Sequence, residues 1–101
     1  MRERIEFSAW GARGRKLVFP KYAMRAADYV SASGVVAAAI ARKNDLQVVT
    51  VCGDGTALDR HGKPLSHHYQ ATFGTPCRGG GWTPEASCWF SIPVKKEEKS
   101  R

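Results

Sequence analysis

Histidine and cysteine are the residue types in this 101-residue chain that could bind a metal ion. The candidates are His61, His67, His68, Cys77 and Cys88, because imidazole and thiolate groups are the usual protein ligands of zinc. A structural zinc site needs four ligands, commonly arranged as two closely spaced pairs. His67 and His68 are adjacent and would point to opposite faces of a strand, and a long segment separates the two cysteines. We therefore predict no metal site and no cofactor.

The same residue types could also act in catalysis. Cys77 precedes an arginine, and a neighbouring cation favours the nucleophilic thiolate form of a cysteine. His67 or His68 with Asp54 or Asp59 would be the acid–base arrangement of a small ribonuclease. Neither arrangement has an orienting acid or an oxyanion-binding element that can be placed beside it. We therefore predict that the protein is not an enzyme and has no catalytic residue.

The segment Gly11–Lys16 is a candidate binding segment because it is rich in cations. Arg13, Arg15 and Lys16 lie in it, and we expect them at the tip of a hairpin. Cations on a protruding loop could bind phosphates or acidic side chains. An ordinary charged loop is the alternative.

The segment Thr75–Pro84 is a second candidate, because it contains three consecutive glycines and long irregular loops in compact domains are often functional. Trp82 and Arg78 are residue types that recur together at interface hot spots. Trp82 could instead fold back over a sheet edge. The predicted partner-binding residues are Arg13, Arg15, Lys16, Arg78 and Trp82.

The chain is strongly basic, with 16 Lys and Arg against 9 Asp and Glu and a formal net charge of +7. Residues 1–25 carry +5, residues 26–94 are neutral, and residues 95–101 carry +2. This balance excludes an acidic mimic of nucleic acid. An excess of positive charge steers an anionic partner toward the protein, and it equally keeps a small protein in solution.

Cysteine usage and hydropathy bear on the cellular compartment. Three cysteines without a CxxC pair argue against a disulfide-stapled secreted scaffold. The longest uncharged apolar run, residues 35–41, is far shorter than the ~20 residues of a membrane-spanning helix. No signal-peptide pattern follows Met1. We therefore expect a cytoplasmic protein with no membrane partner, in which Cys52 and Cys88 are small buried hydrophobes.

The elements that must position these residues begin with a predicted N-terminal hairpin. Residues 4–10 alternate between apolar and polar side chains, which is typical of a half-buried strand. An apolar run returns at residues 16–19, after the glycine-containing loop Gly11–Gly14. Residues 21–30 fit both a helical face and an extended segment, and we favour a turn or short strand there.

Residues 31–43 predict an amphipathic helix. Val35, Val36, Ala39 and Ile40 recur at the spacing of one helical face. A serine at its start can cap the N-terminus, and two basic residues at its end suit the negative end of the helix dipole.

The second half of the chain predicts a three-strand antiparallel meander. The strands are expected at residues 46–52, 65–73 and 87–94. A bulge is expected at Gly53-Asp54-Gly55, a turn at Asp59–Pro64, and an irregular loop at residues 74–86.

Together these elements predict an α+β fold. It would have one antiparallel sheet of about five strands, made of the hairpin and the meander, with one main helix packed on one face. Residues 1–94 would form a single domain, and residues 95–101 a charged, disordered tail. Exposed strand edges would permit a homodimer.

The order of the elements and several short segments carry a resemblance to a known class of proteins. The segments are Ala37-Ala38-Ala39-Ile40-Ala41, Val48-Val49-Thr50-Val51, Gly53-Asp54-Gly55, His67-His68-Tyr69, Phe73-Gly74-Thr75 and Trp89-Phe90-Ser91-Ile92. In this layout the chain resembles small phage-encoded anti-CRISPR proteins. The resemblance implies a stoichiometric inhibitor that binds a CRISPR effector complex and blocks DNA recognition or nuclease recruitment. Many such inhibitors are acidic, so the basic charge here favours contact with an acidic protein surface or with guide RNA.

Three functions are therefore predicted, in order of preference. The first is a non-enzymatic binding protein, encoded by a phage or mobile element, that blocks a host effector complex by steric occlusion. The alternative is a small basic nucleic-acid-binding protein that uses the hairpin tip at Gly11–Lys16. The third is a small hydrolase or ribonuclease that uses His67 or His68.

Overall fold

The computed structural model describes residues 4–24 and 31–94, and these residues form an α+β fold. Their elements are β1 (Arg4–Glu6), β2 (Ser8–Gly14), β3 (Tyr22–Met24), α1 (Ala32–Lys43), β4 (Gln47–Leu58), β5 (Pro64–Pro76) and β6 (Trp82–Pro93). The strands form a four-stranded sheet in the order β2-β6-β5-β4 and a two-stranded sheet of β1 and β3. All pairings are antiparallel. The α+β class is thus confirmed, but two sheets replace the single predicted sheet.

Helix α1 begins and ends as its sequence predicts. The Ser31 hydroxyl accepts a hydrogen bond from the backbone N–H of Gly34 at 3.2 Å, which is the N-cap interaction of the helix. Arg42 and Lys43 lie in the last turn, and Asn44 is the C-cap. Local signals were sufficient here because a cap and its partner are only three residues apart in the chain.

The hydrophobic core lies between α1 and one face of the four-stranded sheet. Val36 and Ile40 on the helix are fully buried, as are Phe73 on β5 and Phe90 on β6. Burial of a side chain such as Val36 or Ile40 contributes about 1.5–3 kcal/mol. The small Ala37, also fully buried, lets the helix lie close to the sheet.

The predicted N-terminal hairpin does not form. β1 pairs with β3, whereas β2 continues through the predicted loop as far as Gly14 and pairs with β6. Gly11 and Gly14 have φ values of +71° and +77°, which suit a turn but also suit the irregularity in the β2–β6 register between Trp10 and Arg13. Gly11 and Gly14 therefore allow β2 to lie close to β6, and they do not form the tip of a hairpin.

The predicted loop at residues 74–86 is much shorter than expected. β5 extends to Pro76 and β6 starts at Trp82, so only residues 77–81 connect them. The three glycines of this turn all have positive φ values, between +82° and +100°. Gly74 meets the backbone of Thr83 so closely that a Cβ atom would not fit. The glycines and prolines were misleading because a bulge between Phe73 and Gly74 accommodates Pro84 within the strand.

The β4–β5 hairpin agrees with its prediction. β4 continues past Gly53, with a register shift between Gly53 and Thr56 that is the expected bulge. The turn is held by the Asp59 carboxylate, which accepts hydrogen bonds from the backbone N–H groups of His61 and Lys63, each at 2.8 Å. An aspartate that bonds its own turn in this way is the local signal that predicted it.

Cys88 is buried as expected, but Cys52 is exposed, so the prediction for Cys52 was wrong. β4 is an edge strand, and Cys52 lies on its side away from the helix. The predicted tail at residues 95–101 and most of the ambiguous segment at residues 21–30 lie outside the described residues. Among the described residues, no helix has the length and apolar character needed to cross a membrane.

Candidate functional site

The four-stranded sheet has two faces, and α1 packs on one of them. On β5, Ala71 and Phe73 are fully buried on the helix side, whereas Gln70 and Thr72 are partly exposed on the other side. Successive side chains of a strand alternate between faces, so the strand pairing extends this division across the sheet. We call the helix side the covered face and the other side the open face. The central part of the open face includes Ser8, Trp10, Arg13, Thr50, Cys52, His68, Gln70, Thr72, Ser87, Trp89 and Ser91.

The open face is ordered into rows that run across the strands. The middle row, from β2 to β4, is Trp10, Trp89, Gln70 and Cys52. One flanking row is Arg13, Ser87, Thr72 and Thr50, and the other is Ser8, Ser91 and His68. Neighbouring strands lie about 4.8 Å apart, so the middle row is about 14 Å long. Two tryptophans therefore stand side by side at one end of it.

Trp89 is held in place by β2. Its ring lies against Gly11, where an added Cβ atom would come within 2.6 Å of a ring carbon. The guanidinium carbon of Arg13 lies over the ring at 5.7 Å from its centroid, within the range of a cation–π interaction. Gly11 is thus required both for its positive φ and for the seating of this indole.

Trp10 is more exposed, at 42% of its surface. Its ring meets the ring of His68 edge-on, with centroids 5.7 Å apart and planes at 74°. The Nε2 atom of His68 lies 3.3 Å from the Ser66 hydroxyl, within hydrogen-bond distance. His68 therefore supports one side of the indole and leaves much of Trp10 in contact with solvent.

The electrostatic character of the open face is neutral to positive. None of the eleven residues named above is acidic, and Arg13 supplies a cation at the tryptophan end. The flanking rows are mostly serine and threonine hydroxyls, which can both donate and accept hydrogen bonds. The arrangement can therefore stack planar groups on indole rings and hydrogen-bond the polar groups attached to them.

Arg15, one of the predicted partner-binding residues, makes contacts within the fold. Its guanidinium donates a hydrogen bond to the backbone oxygen of Asn44 at 3.0 Å and forms an ion pair with Glu85 at 3.4 Å. Its backbone N–H also donates to the Glu85 carbonyl at 2.9 Å. Arg15 thus ties the end of β2 to the end of α1 and to β6.

Trp82 lies on the other side of the sheet from Trp10. It is 44% exposed and lines a cleft of about 560 Å³ between α1 and the start of β4. The rest of the lining is Gly34, Ala38, Ala41, Arg42, Asp45, Leu46, Gln47 and Val48. The cleft is open and mostly apolar, with Arg42 and Asp45 as its charged groups.

The structure does not bring the five predicted partner-binding residues to one surface. Arg13 lies on the open face, Arg15 is tied to the end of the helix, and Trp82 lines the helix-side cleft. Lys16 is exposed in the segment between β2 and β3, and Arg78 is exposed in the turn between β5 and β6.

Trp10, Trp89, His68 and Gln70 were not predicted as a group. One signal was available: Trp10 continues the polar side of the alternating segment at residues 4–10, where a half-buried strand normally has a hydrophilic residue.

The histidines and cysteines are dispersed. The Nδ1 atom of His67 lies 3.1 Å from the Thr56 hydroxyl, and the pairing pattern puts His67 on the opposite side of β5 from His68. Cys77 lies 2.7 Å from the Thr83 hydroxyl. Burial raises the pKa of the Cys88 thiol from 9.0 to about 11, which keeps it protonated. Within residues 4–24 and 31–94, no three His, Cys, Asp or Glu residues are grouped so that they could hold a metal ion.

Comparisons with protein-family models, with curated proteins and with solved structures found no match to this chain. The site is therefore interpreted from its own geometry and chemistry.

Proposed function

We propose that this protein is a non-enzymatic binding protein that takes single-stranded nucleic acid on its open face. The observation that carries the proposal is the exposed indole of Trp10, which stands beside Trp89 and near Arg13 on a sheet face that α1 leaves uncovered. Unpaired bases stack on aromatic side chains, and each such contact is worth about 1–3 kcal/mol. The indole of Trp10, 42% exposed, offers a surface for such stacking.

The charge of the molecule supports the same function. The net charge of +7 attracts a polyanion over a distance, and Arg13 places a cation over Trp89, the neighbour of Trp10 in the middle row. None of the eleven residues named for the open face is acidic, which removes a source of repulsion against phosphate groups near Trp10. Nucleic-acid binding is the second of the predicted functions. We now place its site on the open face of the sheet and no longer at a hairpin tip formed by Gly11–Lys16.

Duplex nucleic acid fits this face less well. In a duplex the bases are stacked on one another, so an indole cannot reach their flat faces without unstacking them. An open single strand presents those flat faces directly. Binding to a single strand should therefore be tighter than binding to a duplex of the same sequence.

The test is an anisotropy titration of a labelled single-stranded oligonucleotide with the protein and with matched tryptophan variants. We expect Trp10→Ala to weaken binding at least about fivefold, because it removes one stacked base. Trp82→Ala is the matched control: Trp82 is as exposed as Trp10 but lies on the helix side, and its loss should leave affinity unchanged. If Trp82→Ala weakens binding and Trp10→Ala does not, the proposal is wrong.

Salt dependence provides an independent check on the polyanion. Each phosphate neutralised on a single strand contributes about −0.7 to the slope of log affinity against log salt concentration. We expect a clearly negative slope that becomes shallower in Arg13→Ala. A slope near zero would mean that binding neutralises no phosphate and would contradict the role given to Arg13.

A second candidate is the inhibitor that blocks a host effector complex. The observation that favours it is Trp82, which combines an exposed indole with an adjacent apolar cleft, the kind of anchor found at protein interfaces. Expression of the chain in a bacterium with an active CRISPR system should then protect a targeted plasmid. Trp82→Ala should abolish that protection while Trp10→Ala retains it.

A further inference from the structure

We infer that the phosphate backbone of the bound strand is held around one end of the four-stranded sheet, which we call the basic end. It consists of six cations that come from three separate segments of the chain: Arg13, Arg15, Lys16, Arg42, Lys43 and Arg78. These residues do not share one face of the sheet but surround its end. The inference rests on the proposed function, because it adds phosphate contacts to the stacking position at Trp10.

The basic end is assembled by contacts between segments that are distant in the sequence. The backbone N–H of Arg15 donates to the carbonyl oxygen of Glu85 near the start of β6, and its guanidinium donates to the backbone oxygen of Asn44 at 3.0 Å. Lys16 follows Arg15 in the chain, and Lys43 precedes Asn44 in the last turn of α1. The contact between Arg15 and Asn44 therefore brings both lysines to the same end of the sheet.

Two arginines near the start of β6 extend the basic end. Arg42 lines the helix-side cleft together with Trp82, the first residue of β6. Arg78 lies in the turn at residues 77–81, which connects the end of β5 to the start of β6. Both arginines are exposed to solvent.

Positive charge is concentrated at this end of the molecule. Residues 4–24 and 31–94 contain ten Lys or Arg residues and five Asp or Glu residues. Six of the ten cations lie at the basic end, but only two of the five anions, Asp45 and Glu85, lie there. Glu85 forms an ion pair with Arg15, and no other cation of the basic end forms a salt bridge within the described residues. Most of these cations are therefore available to an anionic ligand.

The fold itself accounts for only part of this cluster. Arg42 and Lys43 suit the negative end of the dipole of α1. Lys16 and Arg78 are exposed in connecting segments and have no such role in the helix. A local excess of positive charge beyond what the fold uses is the electrostatic footprint of polyanion binding.

The basic end is continuous with the stacking position on the open face. Trp10 lies four residues before Gly14, the last residue of β2, which corresponds to about 13 Å along the strand. Arg13 lies between them on the open face. A single strand whose base stacks on Trp10 can therefore extend along β2 past Arg13 and place its next phosphates near Lys16 and Lys43.

The opposite end of the sheet provides a matched control. Arg60 and Lys63 are exposed in the turn between β4 and β5, where Asp54 and Asp59 of the same hairpin balance their charge. β5 has 13 residues, so its two ends are about 40 Å apart. At 0.1 M salt the Debye length is about 10 Å, so cations at this turn act only weakly on phosphates at the basic end.

The experiment compares two double variants that each remove two positive charges, in titrations of the labelled single-stranded oligonucleotide at several salt concentrations. Lys16→Ala with Lys43→Ala should weaken binding about three- to tenfold at 0.1 M salt. The slope of log affinity against log salt concentration should become shallower by about 1.4, the value for two phosphates on a single strand. Arg60→Ala with Lys63→Ala should change affinity by less than about twofold.

A charge-conserving variant shows whether charge or packing is responsible. Lys16→Arg with Lys43→Arg should bind as tightly as the wild type and keep its slope. Equal effects of the two alanine double variants, or an unchanged slope in Lys16→Ala with Lys43→Ala, would overturn the inference and leave single-strand binding intact. If the wild type does not bind the oligonucleotide, or if Trp10→Ala binds it as tightly as the wild type, the proposed function fails and the inference fails with it.

Discussion

The two faces of the four-stranded sheet are built by the same strands and differ in what lies over them. On the covered face, Phe73 and Phe90 have no exposed surface and pack in one cluster with α1. On the open face, Trp10 keeps 42% of its surface exposed beside Trp89. Core formation explains the aromatic residues of the first face. It does not explain why two tryptophans are neighbours on the second.

The difference teaches that aromatic content alone does not locate a core or a binding site. What separates the two roles is the cover: α1 and the β1–β3 sheet exclude water from one face, and the other face has no such cover among the described residues. Substitutions on the covered face should therefore reduce stability, whereas substitutions on the open face should reduce binding and leave stability nearly unchanged.

The largest expected effect is on the covered face. Phe73→Ala removes a fully buried ring and should lower the free energy of unfolding by about 3–5 kcal/mol. Trp10→Ala, the matched change on the open face, should lower it by less than about 1 kcal/mol. Urea denaturation followed by circular dichroism measures both. Equal losses in the free energy of unfolding would mean that Trp10 contributes to stability as much as the buried Phe73, which would contradict the difference between the two faces.

A smaller loss is expected at the end of the helix, where Asn44 joins α1 to the segment after β2. Its amide nitrogen donates to the carbonyl oxygens of Val18 and Ile40, and its Oδ1 accepts from the Val18 N–H, all at 2.8 Å. Asn44→Ala leaves buried groups without partners and should cost about 2–3 kcal/mol. Lys43→Ala, at an exposed neighbouring position, is the control and should be nearly neutral in the same unfolding experiment.

The pH dependence of the free energy of unfolding tests the burial of the Cys88 thiol on the covered face. The pKa of Cys88 in the folded protein is about 11, above its usual value of 9.0, so the unfolded state loses this proton first. Its contribution is complete below about pH 9 and is lost as pH rises toward 11, which amounts to on the order of 2–3 kcal/mol. Cys88→Ala should flatten this part of the stability curve. An unchanged slope in Cys88→Ala would contradict the assignment.

The smallest expected effects concern Arg13 and Arg15. Arg13 lies on the open face, whereas Arg15 makes contacts within the fold. Arg13→Ala should weaken oligonucleotide binding about two- to fivefold, because it removes the cation beside Trp89. Arg15→Ala should leave binding unchanged and lower stability by no more than about 1 kcal/mol, since its ion pair with Glu85 is largely exposed. Oligonucleotide titration and urea unfolding of both variants distinguish the two roles. If Arg15→Ala weakened binding and Arg13→Ala did not, the binding role would belong to Arg15.

Several elements could be predicted from sequence because their determinants are local. Helix α1 depends on the Ser31 cap and on apolar residues three and four positions apart, and the β4–β5 turn depends on Asp59. The prediction of an N-terminal hairpin was wrong, because the presence of two short apolar segments close together in the sequence does not determine that they pair with each other. β2 found its partner in β6, near the other end of the described chain.

The candidate site was harder to predict than the fold because it depends on register. Arg13, Trp82 and Arg15 were singled out by residue type, yet they lie at three separate places. The positions that are neighbours across the sheet, Trp10, Trp89 and Gln70, come from three strands that are far apart in the sequence. No local pattern within one strand encodes that alignment.

The amino-acid sequence by itself determined the basic charge, the helix with its caps, the β4–β5 turn and the alternation of side chains along each strand, because all of these depend on neighbouring residues or on simple composition. Only the tertiary structure decided which strands pair and which side of the sheet the helix covers. Those choices depend on burying Phe73, Phe90 and Ile40 together, and this joint burial left the indoles of Trp10 and Trp89 beside each other on the open face.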